Sequence, residues 1–590
     1  MNVSHFPTNE LTCDFCVVGG GLSGLCAAVA AARRGLSVVL MQDRPMLGGN
    51  ASSEVRMWVC GAHGENHRET GLIEELLLEN YWRNPYKNYS LWDGVLWEMA
   101  KNEPTLTLLL NCTCFDGVMK NGHLSSITGW QMTTQTFFTV RATLFADCSG
   151  DSVLIPITGA PYRMGREGRQ EYGESIAPPQ PDRKTMGISL LFQAREYPTP
   201  RPFRAPAWAR HFTRESLPFR LPDLQDDREN FWYLELGGLQ DTIRDTESIR
   251  DELLKAAYGL WDYIKNAPEN REKNQNFDLD FIGIFPGKRE SRRYIGDHVL
   301  TQTDVENGGM FPDVVAYGGW SMDDHDPAGL EGRGAPTIYH PAPSPYGIPF
   351  RCLYAKTVEN LLFAGRNISV THSAMSSTRV MATCALLGQA IGTAAALAIP
   401  RGLTPRELGQ QAITDLQQAL LWDDCTLPGV RREVSPLTRQ ALLTSDFQDA
   451  ENVRSGIDRP TETADNGSYG CPGGFLQYEW PEPVFVTTVR LIFDSDLNRR
   501  TLPAWERELD RPMSHNIRLN RPASHVPKTL VRSFTLTLTD ENGQSETLTV
   551  SDHHQRLYRL PVGKRLRKVR FTAHSTHGSE KVHIFAFDVR

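Results

Sequence analysis

The sequence lacks a strong excess of either charge: 62 Lys and Arg stand against 70 Asp and Glu, a formal net charge of -8. That balance offers no electrostatic footprint for nucleic acid, so no nucleic-acid partner is expected. No apolar run reads as long enough to span a bilayer, which sets a membrane partner aside. The opening stretch "MNVSHFPTNELT" has neither a basic head nor an apolar core. No secretion signal is expected from it, and the expected location is cytoplasmic. The cysteines lack a framework: 11 of them run from Cys13 to Cys471, an odd number without scaffold spacing. Cys13 and Cys16 form CxxC, and Cys112 and Cys114 form CxC. Neither pair has the partners that a zinc or redox site needs, so reduced, half-buried thiols and no metal are expected.

What is present begins with "CDFCVVGGGLSGLCAAVAAARRGLSVVLMQD". It reads as a strand from Phe15 to Val18, a glycine turn, an Ala-rich helix ending near Gly35, and a second strand from Ser37 to Met41. Gly19, Gly21 and Gly24 fit GxGxxG inside that βαβ context, which points to a bound dinucleotide. Gly19 allows the tight turn, Gly21 lets the backbone approach a pyrophosphate, and Gly24 lets helix and strand pack closely. The helix N-terminus then favours phosphate.

The residue that accepts hydrogen bonds from the adenosine ribose should close the second strand. Gln42 stands there, followed by Asp43. An amide oxygen can accept from a ribose hydroxyl without carrying charge. Arg44 would suit a 2′-phosphate and hence NADP. The "LGGN" stretch and the polar run Asn50 to Glu54 instead supply a donor-rich loop that fits a second nucleotide's phosphates and ribityl chain.

Two later stretches turn the nucleotide reading into a flavin reading. In "ATLFADCSGDSVLIPITG" a strand from Ala142 to Ala146 ends in Asp147 and turns through Gly150-Asp151. In "VENLLFAGRNISVTHSAMSSTRVMATCALLGQAIGTAAALA" a strand from Asn360 to Ala364 meets Gly365-Arg366-Asn367, and a small-residue helix is expected from Ser377. Residues 13 to 398 together resemble FAD-dependent oxidoreductases of the glutathione-reductase type. They resemble more narrowly a bacterial group that shares "QDRP", "LGGN", "SSE", "GDH", "LTQ" and "AGRN", often encoded beside carbohydrate-degradation genes. The resemblance implies an FAD cofactor and an α/β, Rossmann-like fold with an inserted α+β substrate domain. It implies pyrophosphate contacts at Gly19 to Gly24, ribose contacts at Gln42 and Asp43, and ribityl contacts at Gly49, Asn50 and Ser53. Cys114 would lie near adenine, Gly150 and Asp151 would line the channel, and Gly365 and Arg366 would touch the pyrophosphate and ribityl region. The helix from Ser377, through Arg379 and Val380, would aim its N-terminus at the flavin. The implied boundaries are 1–160 and 351–427 for the FAD-binding part, and 161–350 for the insertion.

Catalytic candidates come from three places. "GGWSMDDHDPAGL" offers Trp320, Asp323 and His325. An imidazole beside a carboxylate can remove a hydroxyl proton while flavin N5 accepts hydride from the same carbon, and an aromatic face suits a sugar ring. "ISVTHSAMS" offers His372, in a stretch expected to approach the flavin, and "MWVCGAHGENHRETG" offers His63, with Cys60 or His63 conceivable as a covalent flavin link. Arg292 and Arg293 would instead matter for reduction of an activated double bond, where paired arginines clamp a carboxylate. Solvated turns and internal ion pairs are the bland alternative for each. A flavin-bearing binding protein without turnover is the remaining reading. No second GxGxxG unit offers a nicotinamide site, and the sequence names no electron acceptor.

Beyond, "TPRELGQQAITDLQQALLW" reads as an amphipathic helix capped by Thr404, and residues 428–440 as a linker. Residues 441–590 alternate in short strands, with "DENGQ" as a hairpin turn, an all-β sandwich. The layout is similar to discoidin-like, galactose-binding-like domains. That resemblance implies either a glycan-binding loop surface or a structural one open to homo-oligomer contacts.

Overall fold

The computed structural model describes residues 5–226, 229–503, 512–514 and 522–590. The chain packs as two compact units. The first is built mainly from the residues up to His63 and from Lys87–Leu416, and the second from Gly64–Tyr86 and most of the chain after Gln417.

The first unit is organised by a seven-stranded sheet. Thr8–Val18 lies between Val38–Met41 and Thr136–Asp147, parallel to both, with Val18 opposite Met41 on one side and Asp147 on the other. Leu106–Leu109 adds a parallel strand beyond Val38–Met41. Leu361–Phe363 pairs in parallel with the end of Thr136–Asp147, placing Phe363 opposite Asp147. The carboxyl ends at Val18, Met41, Asp147 and Phe363 therefore share one edge, where parallel sheets bind ligands. The strand expected at 142–146 starts earlier because its first half joins an antiparallel meander with His123–Gln131 and Cys112–Lys120.

Helices Leu22–Ala32 and Met381–Ala398 pack against each other. Their small residues permit this: a Cβ on Gly388 or Gly392 would run into the carbonyls of Ser23 or Ala27. Met381–Arg401 is long and apolar enough to cross a membrane, contrary to the sequence reading, yet 89% of its apolar window is buried within the protein. A helix apolar on all sides belongs in such a core.

The stretch inserted between strands Thr136–Asp147 and Leu361–Phe363 forms several small sheets and the helix Thr246–Asn266. Its strand Met322–His325 pairs antiparallel with Thr337–His340. Alternation along that strand sends Asp323 and His325 to one face and Asp324 to the other.

The second unit is a seven-stranded antiparallel sheet region, consistent with a β sandwich. The stretches "FLQYEW" and "VFVTTVRLIF" are one strand, Phe475–Phe493, whose register shifts across Pro481 and Pro483. The "DENGQ" turn forms as a hairpin, its Asp540 carboxylate accepting from Asn542 N and Gln544 N. The expected linker is a pinned segment instead: Arg432 is buried and bridges Asp458 at 2.8 Å and Asp588 at 2.9 Å. The amphipathic helix divides at Ala412 into Pro405–Gln411 and Ile413–Trp422.

Candidate active site

A cavity of about 360 Å³ opens in the first unit at the carboxyl edge of the parallel sheet. The three glycines meet three different demands there. Gly19 has φ +100, and a Cβ on it would stand 2.5 Å from the Cys148 carbonyl. A Cβ on Gly24 would strike the Gly19 carbonyl, so Gly24 packs behind the turn and does not line the cavity. Gly21 faces the cavity, with only Gly49 Cα within 4 Å of an added Cβ. It caps helix Leu22–Ala32, which carries no acidic residue in its first turn and no side-chain cap. Open amide donors at a helix start are what a pyrophosphate needs. Gly21→Val should fill this approach and yield folded protein without FAD, read as loss of flavin absorbance in the purified protein.

Gln42 does not present its amide as the sequence suggested. Its Oε1 accepts from Gly20 N at 2.6 Å and its Nε2 donates to Met46 O at 3.1 Å, so the side chain ties the glycine turn to the following loop. Asp43, more exposed and also on the cavity wall, becomes the carboxylate available to a ribose. Arg44 lies over the Phe285 ring at 4.2 Å and 3.5 Å from Glu54. Gly49, Asn50 and Cys114 line the cavity, and burial pushes the Cys114 thiol up to about 12. Cys13 and Cys16 are buried. Ser53 does not line the cavity; its N–H donates to Asp93 at 3.0 Å.

Asp151 is the ionic centre of the cofactor wall. It accepts from Lys288 Nζ at 2.6 Å, Arg366 Nη2 at 2.9 Å and Ser291 Oγ at 2.8 Å. Burial works against its ionisation, but Arg366 and Lys288 hold its carboxyl down at about 2. Gly150, with φ +76, lies against the Arg366 guanidinium, and Gly365 flanks the same wall. Arg366 Nε is buried without a hydrogen-bond partner. Two cations against one carboxylate leave a net positive charge, which matches a pyrophosphate. The residues present therefore fit FAD. The expected helix from Ser377 is two helices: His372–Thr378 ends at Arg379, and Met381–Ala398 begins after Val380 without a side-chain cap. Arg379, Val380 and Met381 all line the cavity.

The inserted region supplies a second wall containing Trp232, Arg289, Trp320, Asp323 and His325. His325 Nδ1 is 2.7 Å from Glu235 Oε2, and Nε2 is 3.4 Å from Asp323 Oδ1. Burial opposes ionisation of Glu235, yet Arg289 and His325 keep its carboxyl below the usual range. Burial likewise opposes ionisation of Asp323, but its bond with His325 and the charge of Arg379 lower it strongly. Trp232 meets the His325 ring edge-on at 5.0 Å. His63 does not line the cavity; it stacks on Trp320 at 4.2 Å.

Three of the expected residues lie behind the wall. His372 sits between Glu290 at 2.9 Å and Asp324 at 3.0 Å, both ring nitrogens engaged and its side chain off the cavity. Burial lowers its basicity, but Glu290 and Asp324 raise it to about 10, so it is a buried imidazolium and no general base at neutral pH. Arg292 donates through Nε to Asp151 O at 3.1 Å, and Arg293 is buried against Glu167 and Glu290. Neither arginine is on the cavity wall. The sequence reading missed Glu235, Arg289 and Trp232, which no local motif marks.

A family model for FAD dependent oxidoreductases matches residues 14–420. No curated protein matches the chain. Among solved structures, a geranylgeranyl bacteriochlorophyll reductase-like protein from Thermoplasma acidophilum is 13% identical, with 70% of this chain and 86% of that one covered at a TM-score of 0.31. A fucose binding module from Streptococcus pneumoniae is 8% identical, covering 27% of this chain and 98% of its own at a TM-score of 0.19. The family 32 carbohydrate-binding module of Streptococcus pneumoniae EndoD is 12% identical, covering 26% and 99% at 0.20. With more than half of its length matched by the family model, the chain belongs to the FAD-dependent oxidoreductase family and is an FAD-dependent oxidoreductase.

Proposed function

We propose that the protein dehydrogenates a hydroxyl of a neutral carbohydrate or polyol. The observation that carries this reading is the Glu235–His325 pair on the cavity wall, 2.7 Å apart. A carboxylate only accepts, so the 2.7 Å Nδ1 contact keeps a proton on Nδ1, and the reaction uses the neutral ring, in which Nε2, a longer 3.4 Å from Asp323 Oδ1, is the basic atom. His325 Nε2 takes the substrate O–H proton as the C–H bond gives up its hydride. FAD, when bound, supplies the two-electron acceptor.

The charges on this wall support an uncharged substrate. Arg289 stands 3.3 Å from Glu235, and Arg379 is 3.3 Å from Asp323, so each guanidinium already has its carboxylate. An unsaturated carboxylate would need uncompensated cations, and Arg292 and Arg293 lie off the wall. Trp232, and the part of Trp320 that His63 leaves uncovered, offer apolar surface to sugar C–H groups beside the Asp323 acceptor. The parallel sheet with its two buried helices supports the glutathione-reductase-type reading. The second unit is read as a galactose-binding-like sandwich.

The test is anaerobic mixing of the holoenzyme with mono- and oligosaccharides, polyols and 2-hydroxy acids while flavin absorbance is followed. Bleaching by a neutral sugar or polyol is expected. Bleaching confined to charged hydroxy acids, or reoxidation of chemically reduced enzyme by an unsaturated acid with no sugar active, would overturn the reading.

A further inference from the structure

The turn from Phe285 to Lys288 belongs to the inserted region, yet all four of its residues line the cofactor cavity. It is fixed to the dinucleotide scaffold at three points. The Arg44 guanidinium lies 4.2 Å from the Phe285 ring centroid, Asn50 Nδ2 donates to the Lys288 carbonyl at 3.0 Å, and Lys288 Nζ donates to Asp151 at 2.6 Å. A Cβ on Gly287 would stand 2.8 Å from Val55 Cγ1, so the turn is pressed against the loop that follows Asn50.

Core burial does not hold Ile284 and Phe285 in place, while Pro286 and Gly287 are buried and Gly287–Lys288 pairs antiparallel with Ile188–Ser189. Phe285 is 41% exposed and the preceding Ile284 is 63% exposed. Three interactions of different kinds, one aromatic, one backbone and one ionic, hold the turn to two stretches of the scaffold that are far apart in sequence, the loop bearing Arg44 and Asn50 and the turn bearing Asp151. Each of the three anchors, Arg44, Asn50 and Asp151, is itself on the cofactor wall.

We propose that Phe285 and Lys288 are FAD-retaining residues, and that the cofactor leaves only when their turn lifts from Arg44 and Asp151. The ammonium of Lys288 adds to Arg366 the positive charge that a pyrophosphate requires. Retention of this kind acts on the rate of release, because lifting the turn breaks its fixings together. Arg289 follows directly and stands 3.3 Å from Glu235, which joins cofactor retention to the reacting wall. The inference rests on FAD and not on the identity of the substrate, so it survives if no sugar is oxidised.

The experiment uses the purified holoenzyme. After dilution, released FAD is separated by ultrafiltration at intervals and its absorbance read. Lys288→Met should release FAD about tenfold faster than wild type, the effect of losing one charge-assisted hydrogen bond. Phe285→Ala should also speed release, and Lys288→Arg should restore retention. The double variant should release FAD more slowly than the product of the two single effects predicts, since either change alone already loosens the turn. Wild-type release rates in both single variants would overturn the proposal. Acceleration in Lys288→Met alone would also overturn it, leaving a simple charge contact at that residue.

Discussion

His325→Asn lowers kcat by about 10²–10⁴-fold, the usual contribution of a positioned general base, while FAD content stays at the wild-type level. Asn preserves a donor toward Glu235 but has no nitrogen that can take a proton. His325 Nδ1 is held by Glu235 at 2.7 Å, and Asp323 lies 3.4 Å from Nε2, so the ring is fixed from both sides. Glu235→Gln should move kcat in the same direction, because a Gln amide can donate to the ring and favour the wrong tautomer. Steady-state rates normalised to flavin absorbance provide the check, with the substrate found by anaerobic bleaching. Turnover within threefold of wild type in His325→Asn would remove His325 from the reaction and shift attention to Asp323.

The cofactor side of this site was legible in the sequence because its signals are local. Gly19, Gly21 and Gly24 sit within six residues, and the backbone demands on each can be stated from the turn itself. Gln42 was placed correctly at the strand end, but its side chain turns inward to Gly20 N, a contact between residues 22 apart that no pattern announces. The wall that carries the proposed base was half legible. Asp323 and His325 alternate on one strand and so share a face, whereas Glu235 reaches His325 across a separation of 90 residues. His372 illustrates the converse: its position between cofactor motifs pointed to the flavin, while the deciding fact is two carboxylates brought in from Glu290 and Asp324.

Longer-range packing also accounts for the other departures. Met381–Arg401 has the composition of a membrane span, and only the close approach of Gly388 and Gly392 to helix Leu22–Ala32 shows why it is so uniformly small and apolar. Residues 428–440 carry Pro and Gly, which read as a linker, but Arg432 meets Asp458 and Asp588 in a buried ion network. Composition describes a segment's preferences and is silent about partners distant in the chain.

His372→Leu should destabilise the first unit by about 3–5 kcal/mol at pH 7, the range for removing one member of a buried charge cluster. The imidazolium holds together Glu290, which also pairs with Arg293, and Asp324, whose strand presents Asp323 and His325 to the cavity. Loss of the cation removes the bridge that pairs Asp324 with Glu290, leaving Arg166 and Arg293 as their remaining positive neighbours. The folded-state pKa of His372 is raised from its ordinary 6.5 to about 10, burial opposing and Glu290 and Asp324 prevailing. A raised pKa means that the folded protein binds the proton more tightly, so this contribution is fully present below the unfolded value and declines as pH rises through the folded one. The wild type should therefore lose its advantage over His372→Leu progressively between pH 6.5 and about 10. Urea midpoints for FAD release, taken across that interval, read the difference directly. A gap between wild type and variant that stays constant with pH would mean that His372 is neutral in the folded protein, and would return it to candidacy as a base.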